Sequence, residues 1–547
     1  MFSGFSDHTC WVLPRALAEA AQQKAGQTWL RCSDGGVLTF EQAARDAETV
    51  AGHLHALGVR PGDHVALMMG NCIDFVRAWA GIGRLGAVAV LLNTELQGVF
   101  LEHQLRNSEA RLVITAPQQL AAILEVGSQV QTLETVLLTG APPEALEGRM
   151  PDASLRPLRW DDWQSAAPYH GDFPRYDQIA AIMYTSGTSG PSKGVLMTHA
   201  QCTLYGIGMV EALEVRQDDV YYITLPLFHA NALLMQLGTT LLAQIPAFMR
   251  TRFSATHWIG DVREQGVTLT NMLGATAAFV IAQPPSARDR AHRLRAMLNA
   301  PNLPAHEAIF RERFGVADIL SGFGMTEVAS PVIGKLGRPA PGAAGWIDAA
   351  RYEVIVADSA TDLPVPDGEV GELLVRPRIP FTMMAGYHRM PEKTMAAWRN
   401  AWFHTGDAAT IVDGVVTYID RIDDCIRRRG QNISPSEIEA SLARLADIAE
   451  VSAYAAVSDI PGAEAEIVLA IVRAAGSAAT AENIGALAEA ALPKFARPRY
   501  VRLLDALPKT PTAKVQRAVL RRQGVQGAVD RDHLRPTTPP NFPKKTS

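Results

Sequence analysis

A chain of 547 residues has the length of three or four domain-sized units, and with 48% apolar and 20% charged side chains it has the composition of a globular protein with ample core. Its net charge of −5 gives no reason to expect nucleic acid or an anionic membrane as the main partner. Five scattered cysteines without a CxxC spacing support neither a disulfide framework nor a zinc site.

The first twenty residues lack the basic start and apolar run of a signal peptide, and no stretch of eighteen apolar residues predicts a membrane span. A cytoplasmic setting is therefore expected. Thr39-Phe40-Glu41-Gln42 reads as a capping box, with Ala43, Ala47, Val50, Ala51, Leu54 and Leu57 at helical spacing behind it. "RPGDH" (60–64) marks a turn, followed by a buried strand over 65–69, a helix over 74–86 and a strand over 110–116. Strands alternating with helices in this way predict an α/β fold, with parallel sheets covered on both faces.

A second regime begins near residue 424. Ser434 as N-cap, Pro435 at the first helical position and Glu437 as capping acid predict a helix, with strands to follow over 449–457, 466–473 and 499–505. This is a compact α+β unit of about a hundred residues. The expected organisation is a large domain over 1–422, a small mobile C-terminal domain over 423–530 and a disordered tail over 531–547, whose last residues are Pro-rich and polar.

The chemistry concentrates in "YTSGTSGPSKGV" (184–195), directly after the apolar run 179–183. Gly187, Gly190 and Gly194 allow backbone N–H groups to approach phosphate oxygens closely. Tyr184, Thr185, Ser186, Thr188 and Ser189 add hydroxyl donors, and Lys193 adds a positive charge. The loop suits a polyphosphate but is not the common P-loop, since Ser192 stands where that motif needs Gly. A plain Gly/Ser-rich surface loop is the alternative for such a segment taken alone.

The ordered string T-S-G-T-S-G-x-x-K-G resembles the phosphate loop of the acyl- and aryl-adenylate-forming superfamily, and three further strings extend the resemblance over roughly residues 10–525. "GFGMTE" (322–327) is similar to the family's aromatic-Gly-x-Thr-Glu motif, which implies that Phe323 stacks on adenine beside Gly324, Thr326 touches phosphate and Glu327 holds magnesium. Phe323 stands where Tyr is usual. "WFHTGD" (402–407) implies Asp407 as the ribose ligand. "DRIDDCIRRRGQNISPSEIE" (420–439) resembles the hinge string, implying Arg421 on ribose or α-phosphate, Asp423 as pivot and Gly430 on the thiol channel. Asp420 replaces the usual Gly there, as in the crotonobetaine and carnitine–CoA ligase branch. "LPKTPTAKVQR" (507–517) places Lys514 where the family carries its catalytic lysine, with Ala513 in place of Gly.

The resemblance implies an AMP-forming acid–CoA ligase using ATP, Mg²⁺ and CoA, with Lys193, Thr326, Glu327 and Lys514 serving the chemistry. His229, in "LPLFHANA" (225–232), falls where the family places a histidine near the acyl pocket; Asn231, Leu273, Gly274 and Ala275 complete the expected pocket. "RFSATHW" (252–258), "QPPSARDRAHRLR" (283–295) and "ERFGV" (312–316), outside the catalytic motifs, also resemble the carnitine–CoA ligase branch, but they do not define the pocket and leave the acid unnamed: short, medium-chain, aromatic or substituted. Transfer to a separate carrier protein, and a nucleotide-binding homologue without catalysis, are the alternatives. Lys193, Glu327 and Lys514 argue against the second of these. Self-association into a homo-oligomer is left open.

Overall fold

The structure, a computed structural model, describes residues 1–140, 155–185, 191–422, 424, 426–428, 431–433, 435–457, 465–492, 496–509 and 514–531. The expected tail over 531–547 lies outside them except for Arg531. The chain divides into two compact units. The first comprises 1–355, 374–404 and 411–417; the second comprises 356–373, 405–410 and 418–547.

The first unit contains an eight-stranded sheet. Its order is Gly386–Tyr387, Lys193–Thr198, Ile179–Thr185, Val88–Leu91, His64–Met68, Leu112–Thr115, Thr135–Leu138 and Arg156–Arg159. From Ile179–Thr185 onward the pairs are parallel, whereas Lys193–Thr198 is antiparallel to both of its neighbours. Val88–Leu91 and Leu112–Thr115 are buried at every position, as continuous apolar runs must be when helices cover both faces. The expected capping box forms: Gln42 N–H donates to Thr39 Oγ1 (3.1 Å) and Thr39 N–H to Gln42 Oε1 (3.0 Å), opening the helix Phe40–Ala56.

A seven-stranded sheet in the same unit has the order Asp318–Leu320, Ala296–Ala300, Leu269–Leu273, Tyr221–Ile223, Ala247–Met249, Thr28–Cys32 and Val37–Thr39. All its pairs are parallel except the last. The strand after Tyr221–Ile223 pairs on one side of it and the next pairs on the other, so the chain reverses direction there. Ligands of open parallel sheets bind beyond the carboxyl ends of strands at such a reversal.

The helix His199–Ala212 buries 12 of its 14 residues, so its polar side chains must find partners inside the protein. The strands Gly322–Met325, Ala329–Ile333 and Gly345–Ile347 form an antiparallel ladder.

The second unit holds the strands Ile448–Ala456, Glu466–Arg473, Tyr500–Leu503 and Val529–Asp530, paired antiparallel, parallel and antiparallel in turn. The helices Pro435–Leu442 and Ala481–Ala491 share a core with this sheet, through Ile438, Leu442, Leu469, Ile471, Ile484 and Val501. The fold is the expected α/β unit with an α+β C-terminal unit. Among the described residues, no helix is long and apolar enough to cross a membrane.

Candidate active site

The strand Ile179–Thr185 delivers the Gly- and Ser-rich segment at its carboxyl end. Ser186, Gly187, Thr188, Ser189 and Gly190 lie outside the described residues. The chain resumes as the strand Lys193–Thr198, so no helix N-terminus follows the loop as it does in a P-loop. Two expectations for this segment need correction. Tyr184 does not offer its hydroxyl to a phosphate, because it is half-buried and donates to Asn107 Oδ1 (2.8 Å); desolvation pushes its pKa well up. Gly194 serves strand packing, since a Cβ there would meet Ile182 Cγ2 at 3.0 Å and Tyr184 Cε1 at 3.2 Å.

Thr185 meets Glu327, and Glu327 and Lys193 both meet one further side chain, Tyr387. Thr185 Oγ1 donates to Glu327 Oε1 (3.2 Å), and the Tyr387 hydroxyl donates to the same oxygen (3.0 Å). Lys193 Nζ sits 4.5 Å from the centre of the Tyr387 ring. Glu327 is 3% exposed, and its Oε2 has no hydrogen-bond partner among the described residues. No group of three or more metal-ligating side chains occurs among the described residues. A magnesium ion at Glu327 would thus take one carboxylate and complete its shell with phosphate and water oxygens, as this hard cation commonly does. The residues present fit it.

The helix His199–Ala212 fixes the backbone around this carboxylate. Gln201 Nε2 donates to the Thr326 carbonyl (2.8 Å), the Tyr205 hydroxyl to the Met325 carbonyl (2.8 Å), and Met384 N–H to the Glu327 carbonyl (2.8 Å). Sequence reasoning missed Gln201, Tyr205 and Tyr387. Only the "GY" at 386–387 carried a local signal, a Gly beside an aromatic directly after the apolar Met383-Met384-Ala385.

Phe323 is half-buried on the strand Gly322–Met325, opposite Val332. Gly324 beside it permits no side chain, because a Cβ would lie 2.4 Å from the Ala329 carbonyl oxygen. Gly324→Ala is expected to cost about 1–3 kcal/mol of stability, the usual range for overpacking, and to raise KM for ATP by displacing Phe323. Thermal unfolding together with ATP-dependent kinetics checks both effects.

His229 and Asn231 follow the strand Tyr221–Ile223, where the seven-stranded sheet reverses direction, while Leu273 ends the neighbouring strand Leu269–Leu273 and Gly274 and Ala275 follow it. His229 is exposed, with its ring 4.4 Å from that of Phe228. Leu273 and Phe279 are exposed apolar residues at 41% and 57%. Asn231 Oδ1 accepts from Asn271 Nδ2 (2.9 Å) and from Gln236 Nε2 (3.1 Å), while Asn271 Oδ1 accepts from the buried Tyr221 hydroxyl (2.5 Å). With two donors on its oxygen, Asn231 has its amide orientation set.

In the second unit, Asp407 is 5% exposed and its Oδ1 accepts from Arg421 Nη1 (3.1 Å), which also donates to the Thr405 carbonyl (2.7 Å). Gly406 between them has φ +70, a conformation that favours glycine, and its N–H donates to Glu372 Oε1 (3.0 Å). The expected ribose ligand and its arginine are therefore neighbours.

Asp420 is 2% exposed and accepts from Ser436 N–H (3.1 Å), Ser436 Oγ (2.9 Å) and Arg421 N–H (2.8 Å), bonds a glycine could not make. Lys514 is exposed and leads into the bridge between Lys509 and Val515. Asp423, Gly430, Ser434 and Ala513 lie outside the described residues, as do the side chains of Arg427 and Arg428 and all of Arg429.

Residues 17–388 match the family model described as AMP-binding enzyme, and residues 437–514 match that described as AMP-binding enzyme C-terminal domain. A crotonobetaine/carnitine–CoA ligase of Salmonella paratyphi A is 30% identical over 521 residues, covering 91% of this chain and 96% of that protein. Among solved structures, the anthranilate CoA ligase AuaEII in complex with anthranoyl-AMP superposes with a TM-score of 0.81 at 25% identity, covering 93% of this chain and 96% of that one. ATP-bound MatB from Rhodopseudomonas palustris gives a TM-score of 0.79 at 23% identity over 93% and 98%, a likeness of fold.

Proposed function

The chain belongs to the AMP-binding enzyme family, and from that premise we propose how its residues divide the work of an acid–CoA ligase. The activity is ATP-dependent activation of a carboxylic acid, followed by transfer of the acyl group to CoA. A carboxylate is a poor acyl donor because oxide would have to leave. In the first half-reaction a carboxylate oxygen forms a bond to the α-phosphorus of ATP, the bond from that phosphorus to the bridging oxygen breaks, and pyrophosphate departs with the electron pair. In the second, the CoA sulfur attacks the acyl carbon, the bond to AMP breaks, and the thiol proton passes to solvent.

No side-chain nucleophile is required; the protein positions two anions and offsets the charge that develops. Lys193, Thr185 and the Gly-rich segment would cradle phosphates, Phe323 and Gly324 the adenine, Asp407 and Arg421 the ribose. Bound magnesium would be held by Glu327 and would offset charge on the phosphate oxygens. Lys514 serves the adenylating step, Asp423 is the pivot and Gly430 belongs to the thiol channel. The observation that carries this reading is the chain of contacts from Thr185 to Glu327, from Glu327 to Tyr387 and from Tyr387 to Lys193, which joins the segment 185–193 to residues far from it in sequence.

His229, Asn231, Leu273, Gly274 and Ala275 form the acyl pocket in this reading. They include no carboxylate to meet a quaternary ammonium, which favours an acid without a cationic group over carnitine. Asn231, whose oxygen is already occupied, would turn its Nδ2 donor to an acceptor atom on the acid, so the substrate class is a carboxylic acid carrying a hydroxyl or carbonyl oxygen. Asn231→Leu is expected to lower kcat/KM for such acids by about tenfold relative to their deoxy analogues, the size of one buried hydrogen bond. An unchanged ratio between matched acids would remove Asn231 from the pocket.

Exchange of labelled pyrophosphate into ATP, dependent on added acid, tests the first half-reaction; CoA and an acyl carrier protein then compete as acceptors. Thioester with CoA is the expected product, whereas acyl-adenylate that passes only to the carrier would favour the alternative acceptor.

A further inference from the structure

We propose that Asn71 is a positioning residue for the acid, acting through the loop that carries His229. This inference rests on the placing of His229 in the acyl pocket under Proposed function. Asn71 is 6% exposed and stands between the strand His64–Met68 of the eight-stranded sheet and the helix Ile73–Leu85. Its side chain reaches across to the seven-stranded sheet. Nδ2 donates to the Leu225 carbonyl (2.9 Å) and to the Arg250 carbonyl (3.1 Å), while Oδ1 accepts from Leu227 N–H (2.8 Å). Leu225 lies two residues past the strand Tyr221–Ile223, and Arg250 directly follows the neighbouring strand Ala247–Met249. One buried amide thus ties the carboxyl end of a strand in one sheet to the carboxyl ends of two strands in the other.

The chemistry of the amide matches the backbone it grips. Pro226 has no N–H, and the residues on either side of it offer Asn71 a carbonyl and an N–H. Meeting both is what a parallel neighbour strand does around the residue it faces. Both Nδ2 hydrogens and an Oδ1 lone pair are used, a set that neither aspartate nor an aliphatic side chain of this size can supply. From this clamp the chain makes one turn, with His229 N–H donating to the Pro226 carbonyl (3.1 Å). It then enters a helix, in which Leu233 N–H donates to the His229 carbonyl (3.0 Å). The clamp and the helix therefore hold the His229 backbone from its two ends. Asn231 has its own anchors in Asn271 and Gln236, so release of the clamp bears on His229 first. None of the three backbone groups that Asn71 binds belongs to Lys193, Thr326 or Glu327, so the nucleotide site is spared.

The test uses the full chain with Asn71→Ala, His229→Ala and the double variant, and with Asn71→Asp, which keeps the size and the acceptor but loses both donors. Thermal unfolding shows which variants are folded at the assay temperature. Exchange of labelled pyrophosphate into ATP, with salicylate, lactate and levulinate as probe acids, gives kcat/KM for the acid and KM for ATP. Asn71→Ala and Asn71→Asp should each lower kcat/KM for the acid about tenfold while KM for ATP stays within about threefold. In the His229→Ala background the change at Asn71 should cost less than about threefold more, because the loop then has no imidazole to place. A purely structural role would add its full loss in that background and would raise KM for ATP as well. Additive losses, or Asn71 variants with unchanged kinetics for the acid beside an impaired His229→Ala, would overturn the proposal. His229→Ala without effect, or wild-type protein that exchanges with none of the three acids, would instead overturn the reading of the pocket on which it rests.

Discussion

Lys514→Ala is expected to slow acyl-adenylate formation by about 10²–10³-fold, the range for removing one donor that meets developing charge, while thioester formation from supplied acyl-adenylate stays near the wild-type rate. The asymmetry follows from the two half-reactions. Both half-reactions build negative charge on a departing phosphate group, pyrophosphate in the first and AMP in the second, but the role proposed for Lys514 is confined to the adenylating step. Lys514 is exposed and its replacement removes no core packing, so the melting temperature should not move. Stopped-flow measurement of the two half-reactions separately checks the split. Equal loss in both would mean that Lys514 does not distinguish them.

Arg517→Ala is expected to destabilise the second unit by about 3–5 kcal/mol, the cost of leaving buried charges without their partner. Arg517 Nη2 lies 2.6 Å from Glu439 Oε2, and its Nη1 lies 3.5 Å from both Asp420 Oδ1 and Asp424 Oδ2. Arg521 would still pair with Asp424 (2.9 Å), but Glu439 and Asp420 would lose their guanidinium. Burial raises the Glu439 pKa above its ordinary value, and Arg517 works against that rise. A carboxylate whose folded pKa is raised favours the folded state below its unfolded pKa and loses that contribution as pH rises through the folded value. Without Arg517 the folded pKa climbs further. The destabilisation should therefore be largest at neutral pH and shrink towards acid, as Glu439 takes up a proton. Unfolding by urea across that range measures it, and a pH-independent difference would contradict the assignment to Glu439.

The elements with strong periodicity were legible from sequence. The Thr39–Gln42 capping box, the buried strand beginning near residue 65 and the C-terminal strands all stand within one or two residues of their expected places in the described chain. Local pattern sufficed because each depends on neighbours in sequence. Residues defined by contacts distant in sequence were not legible. Nothing around Gln201 or Tyr205 reveals that the helix bearing them holds the carbonyls at 325 and 326, because an internal helix shows no polar face.

Gly194 and Tyr184 were read by residue type as phosphate-binding groups, yet strand pairing turns them into the sheet. Asp420 was visible as a departure from the family pattern but not explained. Its purpose appears once Ser436 and Arg517 stand beside it, with its carboxylate accepting an N–H from the first turn of the helix Pro435–Leu442.

The central claim is that the carboxylate of the acid attacks the α-phosphorus of ATP, and it is tested most directly with an acid labelled with ¹⁸O in both carboxyl oxygens. Incubated with the enzyme, ATP, Mg²⁺ and CoA, such an acid should yield AMP carrying one ¹⁸O and acyl-CoA retaining the other, because the attacking oxygen leaves with the nucleotide. Label in inorganic phosphate, with ADP as the nucleotide product, would place the attack at the γ-phosphorus and contradict the account.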